Sequence, residues 1–262
     1  MDGTATSLVL RQDDGGVATL TLNRPEARNA LSVAMMNAVQ DRLDAIAKDK
    51  SVKVVVLAGA GPGFCAGHDL REMRANPGKQ YYEAVFAQCS RMMMSVVNLP
   101  QPVIARVHGI ATAAGCQLVA TCDLAVASDQ AKLATSGINV GLFCSTPAVA
   151  VSRAVGRKPA MEMLLTGDFI PADEALRIGL VNRVVPAAEL DAAVSALAKR
   201  VTRHLPLAIG IGKASFYRQA DMNLADAYRD AGAAMVKNML MPETEAGIDA
   251  FLAKRPPPWQ EK

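Results

Sequence analysis

Short β-branched and apolar runs, VATLTLN at 17–23, VKVVVLAG at 52–59, PVIARVHG at 102–109 and DLAVAS at 123–128, alternate with longer stretches whose apolar positions recur at helical spacing. The pattern predicts an α/β fold. Ser32 is a candidate N-cap for the first long helix, because Met36, Val39, Leu43 and Ile46 behind it share one face, and a further helix covers roughly 79–97. From about residue 147 the strand signal nearly vanishes, and the chain reads as successive helices broken at Gly156, between Gly167 and Pro171, and at Pro186, Pro206 and Pro242. An N-terminal α/β core followed by a C-terminal helical part is therefore expected, without internal repeats. The closing stretch KRPPPWQEK at 254–262 reads as an unstructured tail.

A chain of 262 residues that is 51% hydrophobic and 20% charged has enough apolar surface for one sizeable core. The net charge of +3 comes without a lysine or arginine block, and only 4% of residues are aromatic, so neither a nucleic-acid groove nor a stacking platform is indicated. A small molecule carrying phosphates remains compatible. Cys65, Cys89, Cys116, Cys122 and Cys144 are odd in number, lack CxxC spacing and mostly sit in apolar runs, as free thiols in a reducing compartment do. Acidic residues stand where a signal peptide needs a basic start, and no apolar stretch reaches the ~18 residues of a membrane span. A cytoplasmic protein without membrane or nucleic-acid partners is expected.

Several familiar motifs fail on inspection. GAGPGF at 59–64 follows a strand, but Phe64 stands where a dinucleotide-binding turn needs its third glycine. GIGKAS at 210–215 lacks the first glycine of a phosphate loop and the hydroxyl residue directly after Lys213; a helix with small residues is the simpler reading. No GxSxG elbow or HExxH occurs, and His68, His108 and His204 are too scattered to suggest a metal site.

Two glycine- and alanine-rich turns survive, GPGFCAGHDL at 61–70 and GIATAAGCQLVA at 109–120. Each places small residues after a strand, where a backbone N–H can face outward unobstructed, and the second opens a helix whose dipole favours negative charge. Two such donors on one oxygen form an oxyanion hole, in which losing one donor costs ~3 kcal/mol of transition-state stabilisation. Tight strand–helix packing alone would also explain either turn.

The ordered set LTLNRPEARNAL, GFCAGHDL, HGIATAAGCQLVATCDLAVAS, VGRKPAMEMLLTGDFIPADEALRIGLVNRVV and GIDAFLAKRPP resembles the crotonase (enoyl-CoA hydratase/isomerase) superfamily over nearly the whole chain. The resemblance implies stacked β-β-α units in a core over 1–195 and a helical trimerisation region over 196–262, assembled as a homotrimer or a dimer of trimers. It implies a CoA-thioester substrate and no separate cofactor. By motif, His68 and Ala114 supply the oxyanion-hole N–H groups, with Ala114 standing for the middle glycine of the family's triplet. The loop Ala66, Gly67, His68, Asp69 and Leu70 borders the CoA, with Ala66 facing the adenine. Arg24 and Lys254 are candidate phosphate cations, ordinary solvated charges being the alternative.

Family hydratases use two glutamates to activate water and deliver a proton. Their positions fall on Gln117 and Gly137, so neither carboxylate is present. A third position, used by other members, falls on Ser145 in GLFCSTPA; there Ser145 or Thr146 as a helix N-cap, with Pro147 in the first turn, is an alternative without chemistry. Asp69 and Asp123 read as structural. GINVGLFCSTPAVA further resembles a branch of mammalian enoyl-CoA hydratase domain-containing proteins. Three functions follow: an enolate-stabilising hydratase/isomerase-like enzyme with non-standard proton transfer, a non-catalytic acyl-CoA binder, or a thioesterase using Ser145 or Cys144.

Overall fold

The computed structural model describes residues 7–260. In chain order, β1 (Val9–Asp14) and β2 (Val17–Leu22) lead to α1 (Val33–Lys48). Next come β3 (Val54–Gly59), β4 (Gly63–Cys65), α2 (Leu70–Ala75) and α3 (Lys79–Asn98), then β5 (Val103–Val107), β6 (Ile110–Thr112) and α4 (Ala114–Thr121). β7 (Leu124–Ser128) and β8 (Lys132–Ala134) precede α5 (Ser145–Ala154) and α6 (Arg157–Thr166). β9 (Ile170–Pro171), α7 (Ala172–Arg177), β10 (Arg183–Val185) and α8 (Leu190–Thr202) complete the core. Three helices follow, α9 (Pro206–Gln219), α10 (Leu224–Met239) and α11 (Pro242–Leu252).

In each pair β3/β4, β5/β6 and β7/β8 the first strand joins a six-stranded sheet, β1-β2-β3-β5-β7-β10, and the second a four-stranded one, β4-β6-β8-β9. A helix closes each pair. This repetition is the expected stacked β-β-α architecture, and it brings the β4 and β6 ends together as parallel neighbours.

The central strands are continuous apolar runs because both faces of their sheet are covered. In β3, Val55 and Leu57 join the cluster under α1 and α3, while Val54 and Val56 pack with Leu190, Val194, Leu197 and Ala198 of α8. Ser32 caps α1 through its side chain, which accepts from Met35 N, and Met36, Val39, Leu43 and Ile46 are all buried as their spacing predicts. All five cysteines are buried free thiols.

The structure corrects three expectations. The boundary at 195/196 falls inside α8, whose Leu197 and Ala198 belong to the core, so the core-packed chain extends to Thr202. Strands β9 and β10 lie beyond residue 147, each too short to register as a β-branched run. Part of the tail is ordered: 258–260 form a 3-10 turn, the Trp259 ring fills the space beside Gly247, and Gln260 Nε2 donates to Arg203 O at 2.9 Å. Glu261 and Lys262 lie outside the described residues.

The helical part is fastened to the core by polar contacts. Lys213 Nζ on α9 donates to Asp123 Oδ2 at 2.7 Å, Val96 O at 3.0 Å and Gln101 O at 3.1 Å, and Tyr217 OH donates to Asp123 Oδ1 at 2.9 Å. GIGKAS is thus a helical segment whose lysine is a tether. α10 buries none of its residues and leaves Leu224, Tyr228, Met235, Val236 and Met239 exposed.

Candidate functional site

The first turn is organised from upstream. Asn29, fully buried and at positive φ, accepts from Arg24 N and donates through Nδ2 to Ala60 O, Gly63 O and Phe64 O, fixing the 24–29 loop against the start of β4. Ala66 N then donates to Arg28 O at 3.0 Å. Leu31 N donates to Gly67 O at 2.7 Å and Asp69 N to Leu31 O at 3.2 Å, a parallel bridge centred on His68. In such a bridge the central residue turns its own N–H to the opposite side, leaving that of His68 free for other use.

The second turn meets the first at two glycines. Gly67 has φ +88°, and a Cβ there would lie 2.9 Å from Ala113 Cβ and 3.1 Å from Ala114 N. A Cβ on Gly115 would lie 2.1 Å from Cys65 O, so the first turn of α4 sits directly on the end of β4. Ala114 opens α4, and its N–H, being in the first helical turn, has no intrahelical acceptor. The structure therefore brings together the backbones of His68 and Ala114.

Ala114 itself is ordinary helix; the strain falls one residue earlier, on Ala113, at φ 50° and ψ −118°. This region suits glycine, and an L-residue held there costs about 1–3 kcal/mol. Ala113→Gly is accordingly expected to raise stability by about 1 kcal/mol once the extra freedom of glycine in the unfolded chain is deducted. Urea denaturation measures it, and an unchanged or lower midpoint would refute the strain.

Gln117 is 5% exposed, and its Oε1 has no hydrogen-bond partner among the described residues. A long side chain on a helix leans toward the preceding turn, here the Ala113–Ala114 corner. Gly137 lies in the 3-10 turn Ser136–Val140, where a Cβ would come 2.4 Å from Leu142 O and 2.8 Å from Cys144 Sγ. Any side chain here would force the turn to move, so the position is not merely short of a carboxylate. Thr112 Oγ1 and Ser136 Oγ, 2.6 Å apart, tie β6 to this turn.

Ser145 is the exposed first residue of α5, and the N-cap is Cys144, without a side-chain capping bond. The capping position expected at Ser145 or Thr146 thus falls upstream of both, while Pro147 does lie in the first turn. Burial pushes the Cys144 thiol up, against a bond from Gly137 N–H that lowers it. Neither side chain is hydrogen-bonded to a base.

Asp69 accepts from Arg71 N and Glu72 N as the N-cap of α2, and its Oδ2 takes Arg24 Nη1 at 2.6 Å. Burial would raise its pKa, but Arg24 and the helix N–H groups together hold it below the usual carboxylate value. Leu70 is exposed at the start of α2. Lys254 is exposed, at φ 54°, just beyond α11. Asn29, Ala113 and Gly115 escape a reading of the sequence for chemistry because they act through backbone geometry; the glycine-alanine composition was the available signal.

The chain matches the enoyl-CoA hydratase/isomerase family over residues 12–262, and it belongs to that family, within the crotonase superfamily. It is 47% identical over 249 residues to rat mitochondrial enoyl-CoA hydratase domain-containing protein 3, covering 95% of this chain and 83% of the relative. The crystal structure of the human protein of that name superposes with a TM-score of 0.93 at 46% identity, covering 96% of this chain and all, 100%, of that one. A crystal structure of an enoyl-CoA hydratase from Mycobacterium smegmatis gives a TM-score of 0.95 at 56% identity, with 97% and 99% covered. The rat, mouse, human, frog and zebrafish relatives are all named mitochondrial, which overturns the cytoplasmic expectation. That expectation rested on free cysteines, acidic residues near the start and the lack of a membrane-length apolar stretch, which argue against secretion and do not distinguish one reducing compartment from another. Among the described residues no helix is long and apolar enough to cross a membrane.

Proposed function

We propose that the protein binds acyl-CoA thioesters and stabilises their enolates between the N–H groups of His68 and Ala114. The observation that supports this reading is the contact of the two turns at Gly67 and Gly115, which sets the His68 loop beside the N-terminus of α4. The Ala66–Leu70 loop borders the CoA. Arg24 already gives Nη1 to Asp69, so Lys254 is the freer of the two candidate phosphate cations. With Gln117 neutral and no side chain at position 137, the activity is hydratase/isomerase-like without the usual pair of glutamates; the same two facts favour a non-catalytic acyl-CoA binder as the second reading.

Calorimetry with butyryl-CoA tests the site. Wild type is expected to bind, and Gly67→Ala, forced against Ala113 and Ala114, to lose about tenfold or more in affinity, roughly one charge-assisted hydrogen bond. Equal binding by the two proteins would misplace the site.

A homotrimer or dimer of trimers is expected as well, because α10 has no buried residue of its own and carries Tyr228, Met235 and Met239 into solvent. Light scattering checks this; a stable monomer at micromolar concentration would refute it.

A further inference from the structure

His68 carries more than a backbone donor. Its imidazole packs edge-on against Phe86 of α3, with ring centroids 5.4 Å apart and planes at 85°. Both ring nitrogens are buried without a hydrogen-bond partner among the described residues. The carbonyl of Leu31, already accepting from Asp69 N at 3.2 Å, approaches the ring without bonding to it. Gln117 is in the same state on the opposing turn, with Oε1 buried and unpaired. Native interiors leave few such groups, because each gives up its bonds to water without replacement. Here two residues bearing such groups, His68 and Gln117, belong to the two turns that meet at Gly67 and Gly115.

We infer that the His68 imidazole is itself a catalytic residue, the base that takes the α-proton of the thioester whose oxygen the two N–H groups hold. This rests on the acyl-thioester reading above. The Cα–H bond breaks as an N–H bond forms on the ring, the C–H electron pair becomes the Cα–C π bond, and the carbonyl π pair moves to oxygen. The enolate stays in the hole until the imidazolium returns the proton. No oxidant or co-reactant is consumed.

The neighbouring groups leave this role to His68. Asp69 is held by Arg24 and the start of α2, and Glu72 Oε2 accepts from Val33 N at 2.9 Å. Burial pushes the Cys116 thiol up to about 12, and the Cys144 thiol upward as well. Position 137 carries no side chain, and a glutamine amide is no base. Beside Arg24 and Asp69, the elements around the ring carry Arg71, Glu72 and Arg74 on α2 and Lys79, Tyr81, Tyr82, Glu83, Cys89 and Arg91 on α3; none is bonded to it. Burial disfavours the imidazolium and sets the pKa of His68 below the ordinary histidine value, so the ring is neutral with a free lone pair near pH 7.

Butyryl-CoA is saturated and cannot be hydrated, so exchange of its α-protons in D2O, followed by mass spectrometry, reads this step alone. Wild type is expected to exchange them, with a rate that rises with pH through one ionisation below about 6.5. His68→Gln should lower the rate by about 10²–10⁴-fold and abolish that inflection, while calorimetric affinity stays within several-fold. His68→Ala, checked for folding by circular dichroism, should regain part of the rate with added 4-methylimidazole. Exchange at the wild-type rate in His68→Gln, or no exchange by wild type that binds butyryl-CoA, overturns the inference. Failure of wild type to bind any CoA thioester overturns the acyl-thioester reading, and this inference with it.

Discussion

Hydration of crotonyl-CoA is expected to run at least about 10²-fold slower than in a family member carrying both glutamates, and Gly137→Glu is expected not to restore it. General acid–base catalysis contributes roughly 10²–10⁴-fold per group, and two groups serving one event lose their effects non-additively. Gln117→Glu should recover part of the rate, because its carboxylate would lie in the first turn of α4, where the helix dipole favours the ionised form. Gly137→Glu faces a different obstacle. Its Cβ would meet Leu142 O at 2.4 Å and Cys144 Sγ at 2.8 Å, so the turn must move, at a cost of about 1–3 kcal/mol. The double variant should therefore gain little over Gln117→Glu, and a melting curve should show the damage. Efficient hydration by wild type would mean that positions 117 and 137 are not where the acid–base groups belong.

The long elements were legible because each repeats its signal. Helix α1 shows four apolar positions on one face behind a serine cap, and β3 is an apolar run bounded by glycine. Short elements were not. Strand β1 alternates weakly, and its best marker, the Gly15–Gly16 pair at φ 53° and 82° that turns it into β2, reads as a hairpin only once the partner strand is assumed. The oxyanion corner was legible as composition, since small residues announce close backbone approach. Which alanine bears the strain was not, because the dihedrals of Ala113 are set by Ala134 O from β8, which accepts its N–H at 3.0 Å. The crowding at position 137 likewise depends on Leu142 and Cys144 folding back over it.

Asp123 shows how far a residue's weight can differ from its appearance in sequence, where it is one acid before a strand. Asp123→Ala is expected to destabilise the protein by about 3–5 kcal/mol, the range for removing one partner of a buried ion pair. The carboxylate receives Lys213 Nζ at 2.7 Å, Tyr217 OH at 2.9 Å and Val103 N at 2.7 Å. The two charged side chains are 6% exposed for Lys213 and 16% for Asp123. Without Asp123 the ammonium keeps only the carbonyls of Val96 and Gln101, and burial already pushes its pKa down. Lys213→Met should be milder, because the carboxylate retains the Tyr217 hydroxyl and the Val103 N–H. The double variant Asp123→Ala/Lys213→Met should cost less than the sum of the two, since neither charge is then left alone. Urea denaturation gives all three values, and hydrogen exchange should show α9 opening first, as it is the element the pair fastens. A loss below about 1 kcal/mol in Asp123→Ala would show that the pair merely balances its own desolvation, leaving apolar packing to hold α9 on the core.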